Sequence, residues 1–138
     1  MTAKQRVQIQ IESRVDGQKT LQEANGDLYL KGDHAYIRYE EAAAELGRTI
    51  TLIRLEHTQL KIIRQGDIAS EQTFVPGEKR IGFYQTAQGK LELEVHTHEW
   101  SADLRSGLGS MSWSYDLYMA GEHAGLYRLK LSIQEETK

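Results

Sequence analysis

Met111-Ser112-Trp113-Ser114-Tyr115-Asp116-Leu117-Tyr118-Met119 alternates at every position. Met111, Trp113, Tyr115, Leu117 and Met119 share one face of an extended chain. Ser112, Ser114, Asp116 and Tyr118, with Ser110 before them, share the other. A period of two with this contrast is the pattern of a strand half buried against a core, and it predicts a core position for Trp113. The same reading works outward in both directions. Downstream, Tyr127, Leu129, Leu131 and Ile133 are predicted inward, and Arg128, Lys130 and Ser132 outward. Upstream, Leu91, Leu93 and Val95 are predicted inward, and Glu92, Glu94, His96 and His98 outward. Continuing that alternation puts Trp100 on the polar face, where its loss should matter less than that of Trp113. Near the start of the chain, Val7, Ile9, Ile11 and Val15 oppose Gln8, Gln10, Glu12 and Arg14.

Strand signals recur at about 7–15, 19–30, 34–40, 48–55, 59–65, 70–75, 80–86, 90–100, 108–119 and 124–134. Turn residues punctuate them: Asp16-Gly17, Lys31-Gly32-Asp33, Gly66-Asp67, Pro76-Gly77, Gln88-Gly89, Ser106-Gly107 and Gly121-Glu122. Glu41 to Leu46 is the one good helix-forming stretch, too short to stand alone, and reads as a helical turn. Short strands at this spacing predict an all-β barrel or sandwich. Hairpin-length links favour an up-and-down meander, and closing a meander removes its edges. The expected fold is one closed antiparallel barrel of eight to ten strands over residues 1–138, with a sandwich as the alternative.

The 138 residues suit one domain, and 39% hydrophobic with 27% charged residues argues against disorder. The chain has no cysteine, which removes disulfides, thiolate zinc sites and cysteine nucleophiles. Net charge is −3 with lysine and arginine scattered among acids, so DNA is not an expected partner. The first residues lack the apolar stretch of a secretory signal, and no window approaches a membrane helix. Both predict a cytoplasmic protein.

The fifth strand carries an anomaly. Leu60 and Ile62 share a face with Arg64, so alternation carries a guanidinium inward near one barrel end. A buried guanidinium needs a carboxylate or several carbonyls, and Glu40 or Glu41 is placed to supply one. The bland alternative is an Arg64 that snorkels to water at the rim. Tyr84 and Thr86 share a face and are expected beside Arg64, although Ile81 and Phe83 on the opposite face compete for the inward side.

With the strands laid out, the chain resembles the YwiB-like proteins, small bacterial β-barrels of the calycin (lipocalin-like) group. The resemblance rests on Tyr39-Glu40-Glu41, on Ile62, Arg64 and Gly66, on the Tyr84-x-Thr86-x-x-Gly89 element and on Tyr115-Asp116-Leu117. It implies a calycin-like barrel and implies no activity.

No reaction motif survives inspection. His96-x-His98 with Glu94 could ligate a metal, but the outer, solvated strand face explains it, and no metal or other cofactor is expected. Gly107-x-Gly109 opens a strand and not a helix, so it is a kink or bulge and not a nucleotide loop. Glu40 and Glu41 face opposite ways on a strand and cannot form an acid/base pair without a bulge. An enzyme therefore has no positive support. The leading expectation is a barrel that holds a small amphipathic or anionic ligand in or at its mouth. Arg64, Tyr84, Thr86, Glu40, Glu41, Tyr115 and Trp113 are its candidate contacts. The alternative is a filled barrel whose surface binds a protein or RNA. Either could be a monomer or a homodimer. A packed interior favours the second reading, and an empty, partly polar one the first.

Overall fold

The computed structural model describes residues 3–41 and 46–136. Ten strands run in chain order: β1 (Ala3–Val15), β2 (Gln18–Lys31), β3 (His34–Glu40), β4 (Thr49–Leu55), β5 (Leu60–Gly66), β6 (Ala69–Phe74), β7 (Lys79–Thr86), β8 (Gly89–Arg105), β9 (Leu108–Met119) and β10 (Glu122–Glu135). Each pairs antiparallel with its sequence neighbours, and β1 pairs with β10, which closes the barrel. The up-and-down meander is therefore realised, with all ten strands near their predicted positions. The helical turn read at 41–46 falls mostly on residues outside the described ones.

The periodicity of two becomes the core. Val7 and Ile9 on β1, Met111, Trp113, Tyr115 and Leu117 on β9, and Leu131 and Ile133 on β10 are buried in one continuous cluster. Phe74 of β6 sits between two of the aromatics, with ring centroids 5.6 Å from Trp113 and 4.7 Å from Tyr115. Tyr115 in turn stacks on Tyr127 at 5.3 Å. The cluster fills the middle of the barrel. On β7, Ile81 is 67% exposed and Phe83 lies on the same outer face, so Tyr84 takes the inward side.

One expectation is overturned. Trp100 does not lie on the polar face. Between Thr97 and Trp100 the β8–β9 register shifts: Thr97 is opposite Tyr115 and Trp100 is opposite Trp113. Three steps on β8 match two on β9, which is a β-bulge. The extra residue reverses the alternation, so His98 and Glu99 stay outside and Trp100 turns inward against the core cluster. Strand β8 also runs to Arg105, five residues beyond its predicted end. Past the bulge it stays paired with β9, and Leu104 and Leu108 pack against the core cluster. The hairpin tip packs at Gly107, where an added Cβ would meet Leu28 at 2.9 Å and where φ is +78°. Trp100→Ala should therefore cost about 2 kcal/mol in urea unfolding, below a fully buried tryptophan but well above a surface change. Ile81→Ala, on the outer face, should stay within about 0.5 kcal/mol. Equal losses would place Trp100 outside.

Candidate functional site

Call the end carrying the β1–β2, β3–β4 and β5–β6 links the upper end. A single cross-strand row rings half of it: Tyr39 opposite Thr51, Thr51 opposite Arg64, Arg64 opposite Ser70, and Ser70 opposite Tyr84. Row partners share a face, and Tyr39, Thr51 and Ser70 are buried, so the row points inward. Two residues beyond Tyr39, alternation brings Glu41 to the same side. Its side chain is fully buried. Gln22 of β2 donates to Glu41 Oε1 at 2.7 Å, and Thr51 Oγ1 donates to Oε2. Arg64 Nε lies 3.5 Å from the same Oε2, with the arginine side chain 23% exposed. The arginine is thus an inward strut that reaches the mouth, not one extended into solvent.

Burial raises the Tyr39 phenol above its ordinary range, and the Glu41 carboxylate adds to the rise. Arg64 opposes it. Burial likewise raises Tyr115, aided by Tyr127 and again opposed by Arg64, so the cation's field reaches both tyrosines. The row is not saturated. Arg64 Nε and Ser70 Oγ are buried without a hydrogen-bond partner among the described residues. Beyond Tyr84 the row turns apolar: Leu91 of β8 is its cross-strand partner, and Leu91, Leu93 and Tyr127 pack on the core. Polar half and apolar half meet at one mouth.

Of the residues singled out in the sequence, the structure brings Arg64, Glu41 and Tyr84 into this row and its immediate surroundings, whereas Tyr115 is core, against Phe74 and stacked on Tyr127. Glu40 is exposed on the outer face opposite Ile50, so Glu41 alone is the partner. Thr86 leaves the patch as well. Its hydroxyl donates to Gln88 Oε1 at 2.9 Å and accepts from the Gln88 N–H at 3.1 Å, fastening the β7–β8 turn. Trp113 is core, seated deeper on Phe74. Gln22, Thr51 and Ser70 were missed by sequence reading. The signal was available in the alternation of β2, β4 and β6, but small polar residues on an inward face look like breaks in the pattern until their partners are known.

The upper end is tied shut on one side. The Arg48 N–H donates to Asp67 Oδ2 at 3.0 Å, and the Asp67 N–H donates to the Arg48 carbonyl at 3.0 Å. Two open spaces lie elsewhere. A cleft of about 690 Å³ opens at the lower end between Leu30, Leu55, His57, Trp100 and Leu104. A groove of about 410 Å³ crosses the outer face near Glu12, Arg14, Ser112 and Arg128.

His96 and His98 do lie on the outer face, with ring centroids 4.5 Å apart. The unexpected feature there is Asp116. Its two oxygens take His98 Nε2 at 2.6 Å and His123 Nε2 at 2.8 Å. The hydrogen bonds from His123 and His98 hold the Asp116 carboxyl below the usual carboxylate range. Among the described residues no group of three is arranged to hold a metal ion, and no helix is long and apolar enough to cross a membrane.

Comparison with known proteins agrees with this architecture. The chain is 28% identical over 112 residues to the "Uncharacterized beta-barrel protein YwiB" of Bacillus subtilis (strain 168), covering 81% of this chain and 78% of that one. The crystal structure of the ywiB protein from Bacillus subtilis superposes with a TM-score of 0.78 at 24% identity, over 97% of this chain and 94% of that chain. That likeness carries the fold, and no activity comes with it. The profile of the family described as "Domain of unknown function (DUF1934)" matches residues 5–131, and the chain belongs to that β-barrel family.

Proposed function

We propose that this protein is a cytoplasmic binding protein, not an enzyme, which takes a small amphipathic molecule with an anionic end at the upper mouth of the barrel. The observation that carries the reading is the row through Thr51, Arg64, Ser70 and Tyr84, in which Ser70 Oγ is buried without a hydrogen-bond partner among the described residues and the Arg64 guanidinium, ion-paired to Glu41 through Nε, stays partly exposed at the mouth. Buried polar groups without partners cost free energy, so native proteins keep few of them. A guanidinium fork at a mouth matches a carboxylate or phosphate. The filled middle of the barrel restricts such a ligand to the mouth, with its apolar part against the Leu91 and Tyr127 side.

A second reading has its own support. The core cluster occupies the interior, and the described clefts of 410 and 690 Å³ are open to the outside. Both favour a surface that meets a protein or RNA.

Native mass spectrometry of freshly purified protein separates the two. The expected result is a species heavier than the bare chain by one small molecule, released on denaturation. Arg64→Lys keeps a cation near Glu41 but removes the planar fork. Occupancy should fall by about tenfold, the loss of one good polar contact, while the unfolding midpoint moves little. Bare chain in both proteins would sink the ligand reading.

A further inference from the structure

The bulge that turns Trp100 inward also leaves a strand edge uncovered. Strand β7 pairs with β8 only as far as Lys79 opposite His96. The β6–β7 turn adds two bonds at Thr97, from the Gly77 N–H to the Thr97 carbonyl at 2.9 Å and from the Thr97 N–H to the Glu78 carbonyl at 3.2 Å. Beyond Thr97, β8 continues to Arg105 with β9 on one side and, among the described residues, no strand on the other. The lower cleft, lined by Trp100, Ala102 and Leu104, opens under the inward face of the same segment. A row of backbone donors and acceptors in this position is a template for another strand.

The side chains say which strand. Glu99, Ser101, Asp103 and Arg105 alternate on one face and are exposed. Trp100, Ala102 and Leu104 alternate on the other. None of Glu99, Asp103 and Arg105 has an ion-pair partner among the described residues. Let two copies of this segment pair antiparallel about a two-fold axis. If the axis passes Ala102, Glu99 faces Arg105 of the other copy, and so does its mirror pair. Ser101 then faces Asp103, and Trp100 faces Leu104. If the axis passes Asp103, that aspartate faces itself. If it passes Ser101, Glu99 faces Asp103. Of these three registers, only the one centred on Ala102 pairs opposite charges, and it also joins apolar to apolar. Cross-strand pairs of this kind stabilise sheets, and like charges directly opposite destabilise them. A two-fold contact is self-complementary by construction.

We propose that the β8 edge from Glu99 to Arg105 is a homodimer interface, in which two copies join antiparallel about Ala102 into one continuous sheet. It lies at the opposite end of the barrel from Arg64 and is independent of the ligand reading.

Sedimentation velocity of the intact chain from about 1 µM to about 1 mM, the span of weak to moderate affinities, tests this directly. A monomer–dimer equilibrium is expected. Glu99→Arg and Arg105→Glu should each weaken it by about tenfold or more, because each reversal creates two like-charge pairs. The double swap should restore it to within about threefold. Since the chain has no cysteine, Ala102→Cys gives a second readout. Directly opposed residues of an antiparallel pair have Cα atoms about 4.5–5.5 Å apart, inside the range a disulfide spans. Mild oxidation should link that variant into dimers and leave Gln10→Cys, on the outer face of β1, unlinked. A monomer throughout the range, or a dimer indifferent to both charge reversals, overturns the proposal.

Discussion

Replacing Arg64 by methionine is expected to destabilise the protein by about 3 kcal/mol in urea unfolding at neutral pH. Methionine keeps bulk on the inward side of β5 but removes the cation 3.5 Å from a carboxylate whose side chain is fully buried. Taking one partner from a buried ion pair costs about 3–5 kcal/mol, because the other charge is left uncompensated. The lower figure applies because the Arg64 side chain retains 23% exposure. Gln22 and Thr51 still hydrogen-bond Glu41, which also limits the loss. Adding Glu41→Gln to Arg64→Met removes the stranded charge and should recover part of the loss, a coupling that a double-mutant cycle measures. A deficit below about 1 kcal/mol would show that Gln22 and Thr51 alone hold Glu41.

Trp113→Ala should cost about 3–5 kcal/mol, the range for emptying a core tryptophan site. Trp113 is 3% exposed and packs on Phe74, which also supports Tyr115. The cavity would open where β6, β8 and β9 meet, and the rigid closed sheet has little freedom to collapse into it. The urea midpoint should drop with an unchanged denaturant slope. Trp113 Nε1 is buried without a partner among the described residues. Trp113→Phe, which removes that donor and keeps a ring, should therefore lose much less than the alanine variant. A Trp113→Ala loss under about 1 kcal/mol would mean that the β9 face is assigned backwards.

Much of the fold was readable residue by residue. Alternation along β1, β9 and β10 identified the core face, because burial of a closed sheet repeats every second residue. Asp16-Gly17 and Gly121-Glu122 marked hairpins because a positive φ is needed there; Gly17 and Gly121 have φ of +81° and +83°. Arg64 stood out as a charge in an apolar register. Glu41 over Glu40 was implicit in the same parity, once Tyr39 is taken as inward.

The sequence by itself thus determined the strands, their turns, the buried face of most of them and the anomalous register of Arg64, but not whether that arginine lies inside or at the rim. These follow from steric and hydrophobic preferences that act within a few residues. The tertiary structure alone decided where the alternation breaks, which strands outrun their neighbours and which distant side chains meet. The bulge at Thr97–Trp100 falls where β7 stops, at Lys79 opposite His96, while β8 continues along β9. No local preference in residues 97–100 encodes that mismatch of lengths. Asp116 meets His98 and His123 only through the pairing of three strands, and Gln22 meets Glu41 only through the closure of β2 on β3. Register between strands is an energy shared by segments far apart in the chain, so it is visible only after the barrel has closed.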